Sequence, residues 1–120
     1  MPRDRSDFKY VWDMLEAAKV VTSLTATKTL AEYEADIALR YAVERGVEII
    51  GEAARGVSDD FREKHHNIPW SAIIATRHII AHEYGDLQHD KLWRIATTHI
   101  PSLMTQLEAI IATNPPPPSN

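Results

Sequence analysis

The stretch from about Leu30 to Val57 is the feature that most restricts how this chain can fold. Its apolar residues recur at helical spacing, which predicts one long helix of roughly 40 Å at about 1.5 Å per residue. They form two stripes, one of Leu30, Tyr33, Ile37 and Tyr41 and one of Leu39, Val43, Val47, Ile50 and Ala54. A helix that is apolar on two sides is expected to pack on the core and also on a second subunit.

Two glycines in this stretch, Gly46 and Gly51, are expected to let a neighbouring backbone approach the helix closely. A third, Gly56, is expected to end the helix in the left-handed conformation. Before the long helix, the apolar spacing predicts a helix from about Asp4 to Val21, with Asp4 or Ser6 as its N-cap. A turn is expected over Ser23 to Thr29, which has no clear period.

Three shorter signals follow the long helix. Ser58-Asp59-Asp60 can cap a short helical turn, the segment from His65 to Pro69 breaks it, and Asn67 is expected to start the next helix. The last helix is predicted to start near a cap at Asp90. Its apolar face contains Trp93, Ala96, Ile100, Leu103, Met104, Leu107, Ile110 and Ile111. Pro101 lies inside this pattern, so a kink or a break into two helices is expected near Thr97 to Ile100.

The fold class that follows is all-α, an up-and-down bundle of four main helices. Four glycines and little alternation of apolar and polar residues disfavour a sheet. We expect a single helical domain over residues 1–113 and a proline-rich disordered tail over residues 114–120, which contain four consecutive prolines.

Composition restricts the function. The chain has no cysteine, which removes disulfides and thiolate chemistry and is typical of a cytoplasmic protein. No apolar run approaches the roughly 20 residues that cross a bilayer, and no signal peptide opens the chain, so we expect no membrane partner. The formal net charge of -4 disfavours a non-specific nucleic-acid binder, so any contact with RNA must be local.

The segment from Arg77 to Tyr84 concentrates the polar chemistry, with one arginine, two histidines and one tyrosine in eight positions. Histidine exchanges protons near neutral pH, and arginine binds phosphate oxygens through a planar fork. Metal-free RNA cleavage needs one group that activates the ribose 2′-hydroxyl and a cation that offsets charge on the phosphorane. Arg77 and His82 supply both groups, but five residues separate them, roughly 140° around an ideal helix.

Other interpretations of these residues stay open. Arg77 could be a structural ion-pair partner of a glutamate such as Glu48 or Glu52. His78 and His82, spaced i and i+4, could hold a zinc ion with a third ligand from Glu83, Asp86, His65, His66 or His89. The pair His65 and His66 is otherwise expected to be solvated. Tyr84 is either an amphipathic tyrosine at the core edge or a hydroxyl available for modification.

Four segments together resemble the HepT-like toxins of the HEPN superfamily. Arg77-x4-His82-x-Tyr84 resembles their Arg-x4-6-His-x-Tyr signature. Ile49-Ile50-Gly51-Glu52-Ala53-Ala54 is similar to their Ile-Gly-Glu-Ala segment, and Ile68-Pro69-Trp70 to the start of their motif helix. Trp93 with Ile100-Pro101-Ser102-Leu103 resembles their final helix. The position after the motif arginine is often asparagine in this family and is His78 here, which implies altered tuning.

The resemblance implies a homodimer whose cleft lies at the subunit interface and contains Arg77 and His82 of both subunits. The implied activity is metal-independent RNA cleavage without a cofactor, with His78 and Glu83 in supporting roles. The implied partner is an MNT-type nucleotidyltransferase antitoxin, which silences the toxin by transferring AMP to Tyr84. A bulky anion two residues from His82 would block the cleft and repel RNA phosphates.

Two other classes of function remain alternatives to this ribonuclease. One is a non-catalytic helical interaction module that binds the nucleotidyltransferase and is modified by it. The other is a nucleotide-binding helical dimer without cleavage. Tyr84 would matter in the toxin and in the interaction module, whereas His82 would be dispensable in the module.

Overall fold

The computed structural model describes residues 2–82 and 88–113, with side chains at 7–80 and 88–113. Within these ranges the chain is all-α, and no strand occurs in them, as the sequence predicts. Seven α-helices and one π-helical segment follow one another, with these bounds: α1 Pro2–Thr25, α2 Leu30–Ala35, α3 Ile37–Gly56, α4 Asp59–Lys64, α5 Trp70–His82, α6 His89–Arg94, the π segment Ile95–His99, and α7 Ile100–Ala112. The predicted tail, residues 114–120, lies outside the described residues, so the division at residue 113 stays a prediction.

The predicted long helix over Leu30 to Val57 is wrong in one respect, because it divides at Asp36. Asp36 has an extended backbone, with φ of -110° and ψ of 98°, and its side chain accepts a hydrogen bond from the backbone N–H of Leu39 at 3.0 Å. The aspartate therefore ends α2 and caps α3. At the other end of α2, Thr29 and Glu32 form a reciprocal capping box. Apolar spacing continues across Asp36, which is why periodicity alone predicts a single helix.

Helix α3 is central to the bundle, since it packs against α1 on one side and α5 on the other. Helix α7 packs against α1, which completes the four main helices. The predicted core stripe of α3 is confirmed, because Leu39, Val43, Val47, Ile50 and Ala54 are all buried. Burial of such apolar side chains contributes most of the stability of a helical bundle.

The other predicted stripe, of Leu30, Tyr33, Ile37 and Tyr41, has a buried part and an exposed part. Tyr33 is fully buried, and its ring lies 5.2 Å from that of Trp93. Ile37 and Tyr41 are instead 54% and 53% exposed. Large apolar side chains at this exposure form a surface patch on α3.

The predicted end of α3 at Gly56 is correct, but the physical reason for the glycine differs from the predicted one. Helix α3 ends at Gly56 as expected, but no described glycine has a positive φ, so the predicted left-handed cap is wrong. Val57, in an extended conformation, is the C-cap. A Cβ atom at Gly56 would meet the ring of Tyr10, with Cε2 only 2.6 Å away. The glycine therefore makes room for an aromatic ring of α1.

Other helix boundaries differ from the predictions in extent. Helix α1 begins at Pro2 and runs to Thr25, so Asp4 and Ser6 lie within it and the expected turn starts after Thr25. Helix α6 has Gln88 as N-cap, and Asp90 lies in its first turn, where a negative charge favours the helix N-terminus. Ser58 caps α4 as predicted, through a hydrogen bond from the backbone N–H of Phe61.

The break expected near Pro101 is confirmed, and it takes the form of the π segment. Ile95–His99 has the wider π-helical turn, and the N–H of Ile100 donates to the carbonyl of Ile95. Pro101, which has no N–H to donate, then occupies the first turn of α7, directly after this wider turn. None of the helices in the described ranges is both long enough and apolar enough to cross a membrane.

Candidate functional site

The position of Arg77 is fixed by the close approach of α5 to α3. A Cβ atom built at Gly51 would overlap the Cβ of Arg77 and lie 2.8 Å from its Cγ and 3.2 Å from the carbonyl oxygen of Ile73. No side chain other than hydrogen fits between the two helices at this point. The predicted role of Gly51 is therefore confirmed, and the stem of Arg77 rests directly on the backbone of α3.

The guanidinium of Arg77 is paired with Glu52, the residue that follows this glycine. Its Nη2 atom lies 3.7 Å from Oε2 of Glu52, and the arginine side chain is only 21% exposed. Glu48, the other glutamate considered as a partner, pairs with Arg45 at 3.2 Å. Arg45 also lies 3.7 Å from Oε2 of Glu52, so two arginines share this carboxylate.

One donor of Arg77 is left without a partner in this arrangement. Its Nε atom is buried and has no hydrogen-bond partner among the described residues. A buried polar group without a partner costs free energy, and functional sites are one place where that cost is retained. The 3.7 Å separation from Glu52 is longer than a hydrogen bond, so the Nη groups also keep donor capacity for an anion.

The other residues of the motif follow Arg77 in α5 and continue past its last described residue. His78 follows Arg77 and is exposed. His82 is the last residue of α5, and its side chain lies outside the described part of the structure. Glu83 and Tyr84 lie outside the described residues altogether. Of the predicted site, the structure thus describes the side chains of Arg77 and His78.

The backbone of α5 bears on the angular separation between Arg77 and His82. The helix is continuous from Trp70 to His82 and does not loosen before His82. The two Cα atoms are therefore roughly 140° apart around the axis and about 7.5 Å apart along it. Within α5, therefore, no local loosening of the helix places the two residues on one face.

The zinc alternative depends on residues outside the described side chains. Among the described side chains, no three histidine, aspartate or glutamate residues form a group that could hold a metal ion. His82, Glu83 and Asp86, on which that alternative depends, are not among those side chains. Of the proposed third ligands, His66 is exposed and His65 is half-buried.

His65 differs from the solvated residue that the sequence suggests. Its ring lies 4.4 Å from the ring of Phe61, and its backbone carbonyl accepts a hydrogen bond from Nε1 of Trp70 at 3.0 Å. Burial lowers the pKa of His65, and the nearby charge of Lys64 lowers it further. The residue therefore helps to join α4 to the start of α5.

Two open spaces flank the helices that carry the site. A groove of about 570 Å³ lies between α1 and α3, and Arg45 and Glu52 are part of its wall. A second space of about 540 Å³ lies between α5, α3 and the segment around Ile100. Thr76, which precedes Arg77, lines this second space.

Sequence reasoning missed the connection from Glu52 to Arg45. The signal was present, because Arg45, Glu48 and Glu52 are spaced i, i+3 and i+7 and therefore share one face of a helix. It also missed the attachment of α1 to α4. The carboxylate of Asp7 accepts hydrogen bonds from the backbone N–H and the hydroxyl of Ser58, each at 2.8 Å.

The fold and the site together define a class of protein. The chain is an all-α bundle in which a half-buried arginine precedes a histidine on one helix, close to a Gly-Glu pair on the central helix. The sequence profile described as ribonuclease HepT-like matches residues 14–110, most of the chain. The chain therefore belongs to the HepT-like family of the HEPN superfamily.

Individual relatives agree with this assignment. The protein named "Putative RNase MJ1380" from Methanocaldococcus jannaschii is 36% identical over 101 residues, which cover 84% of this chain and 93% of that protein. "Probable ribonuclease HepT" from Thermococcus cleftensis is 31% identical over 106 residues, 88% of this chain and 96% of that protein. No solved structure matches the chain.

Proposed function

We propose that this protein is a metal-independent endoribonuclease and the toxin of a toxin–antitoxin pair. The observation that carries the proposal is the state of Arg77, a cation that is 21% exposed and keeps unused donors. It lies on the helix that also contains the motif histidine, His82, in a chain whose family is described as ribonucleases. The names of the relatives, which give them as RNases, support the same activity.

In the proposed reaction, Arg77 binds the scissile phosphate and His82 accepts the proton of the adjacent ribose 2′-hydroxyl. The 2′-oxygen forms a bond to phosphorus, and the bond from phosphorus to the 5′-oxygen breaks. The leaving 5′-oxygen takes up a proton, and a 2′,3′-cyclic phosphate remains. Negative charge accumulates on the phosphorane, where a fixed guanidinium stabilises it more than it stabilises the substrate. His78 and Glu83 are proposed as supporting residues.

A homodimer is part of this proposal. The Cα atoms of Arg77 and His82 are about 140° apart on a continuous helix, so a cleft shared by two subunits can use an arginine of one with a histidine of the other. The exposed apolar residues Ile37 and Tyr41 on α3 and Val20 on α1 support such an interface.

Control by an MNT-type nucleotidyltransferase antitoxin completes the proposal. Transfer of AMP to Tyr84 would add a bulky anion two residues after His82, which would repel the phosphates of RNA. Incubation with that enzyme and ATP should add AMP to the wild-type protein and not to Tyr84→Phe. Tyr41→Phe, which changes an exposed tyrosine on α3, is the matched control and should still be modified.

Cleavage of a defined RNA in EDTA tests the central claim. The unmodified protein should cut and leave 2′,3′-cyclic phosphate ends, whereas His82→Ala should lose about 10²–10⁴-fold in rate if the histidine is the general base. Arg77→Ala should lose at least as much, because it removes the cation at the phosphorane. Cleavage that stops in the chelator would favour the zinc alternative.

No cleavage of several RNAs by dimeric, unmodified protein would reject the ribonuclease. The interaction module would then be the better description, since it predicts modification of Tyr84 without any requirement for His82.

A further inference from the structure

Glu52 has an unusual position between two arginines of different helices. Its Oε2 atom lies 3.7 Å from Nη2 of Arg77 on α5 and 3.7 Å from Nη1 of Arg45 on α3. The carboxylate is 41% exposed, so it lies at the surface edge of the contact between α3 and α5. One carboxylate thus forms ion pairs with two arginines, and the N–O distance in each pair is longer than that of a hydrogen bond.

The stem and the head of Arg77 are held by adjacent residues of α3. Gly51 allows the Cβ and Cγ of Arg77 to rest on the α3 backbone, which restricts the direction of the stem. Among the described side chains, Glu52 is the carboxylate paired with its guanidinium. The buried Nε atom has no partner among the same residues, so the ion pair with Glu52 is the polar contact that the described residues give the guanidinium.

We propose that Glu52 is a positioning residue, which holds the guanidinium of Arg77 in its orientation for phosphate while Arg45 neutralises the carboxylate. This inference rests on the proposed function, because it concerns the same site. At 3.7 Å the carboxylate orients Arg77 without occupying its donors in hydrogen bonds. A phosphate can therefore bind Arg77 without first displacing a hydrogen-bonded partner.

Arg45 has a distinct part in this arrangement. A carboxylate next to a phosphate site repels the phosphate, unless another cation compensates its charge. Nη1 of Arg45 lies 3.7 Å from Oε2 of Glu52 and 3.2 Å from Oε1 of Glu48, and the arginine side chain is 59% exposed. Arg45 therefore offsets part of the repulsion between Glu52 and a phosphate that approaches Arg77.

Glu48 provides a matched control for Glu52. It lies one helical turn earlier on the same helix and carries the same charge, and its carboxylate pairs with Arg45 at 3.2 Å. Substitution of either glutamate by glutamine keeps the size of the side chain and removes one negative charge. An effect of net charge alone should appear in both variants, whereas an effect on Arg77 should appear only at Glu52.

Steady-state cleavage in EDTA gives the first readout. Glu52→Gln should lower kcat by about 10–100-fold, because a misplaced catalytic group loses rate at this scale, and should leave KM no higher than in the wild type. Glu48→Gln should keep the wild-type kcat, and Glu52→Asp should recover part of the loss. Equal kcat values in the two glutamine variants would overturn the proposal.

A second kinetic comparison tests the part of Arg45. Arg45→Ala should raise KM in the wild-type background, since it exposes phosphate to the uncompensated carboxylate. The same change should raise KM less in the Glu52→Gln background, where that charge is absent. Equal increases in both backgrounds would reject the compensation by Arg45.

An NMR measurement separates this inference from the proposed function. The side-chain Nε–Hε resonance of Arg77, assigned by its absence in Arg77→Lys, should show restricted motion in the wild type and in Glu48→Gln. It should show greater motion in Glu52→Gln. This result in a protein that cuts no RNA would reject the ribonuclease and keep the positioning role. Unchanged motion in Glu52→Gln would overturn the positioning role, whatever the cleavage assay gives.

Discussion

Helix α3 approaches each of two neighbouring helices closely at a glycine, but the side chains packed against the two glycines differ in chemistry. At the α1 contact, a Cβ atom at Gly46 would overlap Cγ2 of Val21, a fully buried apolar side chain. At the α5 contact, a Cβ atom at Gly51 would overlap the stem of Arg77. Both glycines bring helices close together, but the first contact buries a hydrocarbon and the second partly buries a cation.

The difference separates a contact that stabilises the fold from one that holds a residue of the proposed site. Burial of Val21 removes apolar surface from water and is favourable by itself. Partial burial of Arg77 is unfavourable unless its charge is compensated, and the carboxylate of Glu52 provides this compensation. Stability alone therefore explains the first contact and does not explain why an arginine occupies the second.

Of the changes at these two contacts, Gly51→Ala is expected to have the largest effect on cleavage. The added methyl group would push against the Cβ of Arg77 and the carbonyl of Ile73, neither of which can rotate away, so α5 must shift. Cleavage per folded molecule should fall by about 10–100-fold, because a displacement near 1 Å costs that much when it moves a catalytic group. The measurement is kcat on protein whose folded fraction is known from circular dichroism. Full activity in a folded variant would show that Arg77 tolerates movement.

Gly46→Ala is the matched change at the other contact. It should lower the free energy of unfolding by about 1–3 kcal/mol, because the methyl group overpacks against Val21. Activity per folded molecule should stay at the wild-type level, since Arg77 packs on another part of α3. Urea denaturation and the same cleavage assay check the two statements. A loss of activity as large as that of Gly51→Ala would remove the distinction between the contacts.

Ser58→Ala should have a smaller effect, confined to stability. The hydroxyl of Ser58 accepts from the N–H of Phe61 at 3.2 Å and donates to the buried carboxylate of Asp7 at 2.8 Å. Its loss should cost about 1–2 kcal/mol of unfolding free energy, as expected for a cap that also satisfies a buried group. Ser71→Ala, on the exposed face of α5, is the control and should change little. Equal stabilities of the two variants would show that backbone donors are enough for Asp7.

The fold class could be predicted from the sequence because helical periodicity and the position of Pro101 report local structure directly. The split at Asp36 was missed, because apolar spacing continues through a residue whose capping role depends on its backbone angles. The end of α3 at Gly56 was predicted for the wrong reason, since the ring of Tyr10 comes from a distant part of the chain.

The candidate site can be proposed from the sequence because Arg77 and His82 belong to one segment. The sequence also offers Glu48 and Glu52 as examples of glutamates that could pair with Arg77, and Glu52 is the one that does. The choice between these two depends on where α5 crosses α3, and Gly51 determines that crossing. The sharing of Glu52 with Arg45 depends on side-chain conformation, which periodicity does not report.

The smallest expected effect concerns His65, which lies at the junction of α4 and α5 and belongs to neither glycine contact. Burial lowers its pKa below the ordinary value of 6.5, so the folded state binds a proton less readily than the unfolded state. Its contribution to stability is therefore fully present above pH 6.5 and is lost as the pH falls through the lowered pKa.

His65→Phe keeps a ring against Phe61 and cannot be protonated. Between about pH 7.5 and pH 5, on either side of the ordinary pKa, the wild type should lose more unfolding free energy in urea than His65→Phe does. Equal losses would mean that protonation of this ring does not oppose folding, and would leave ring packing as its whole contribution.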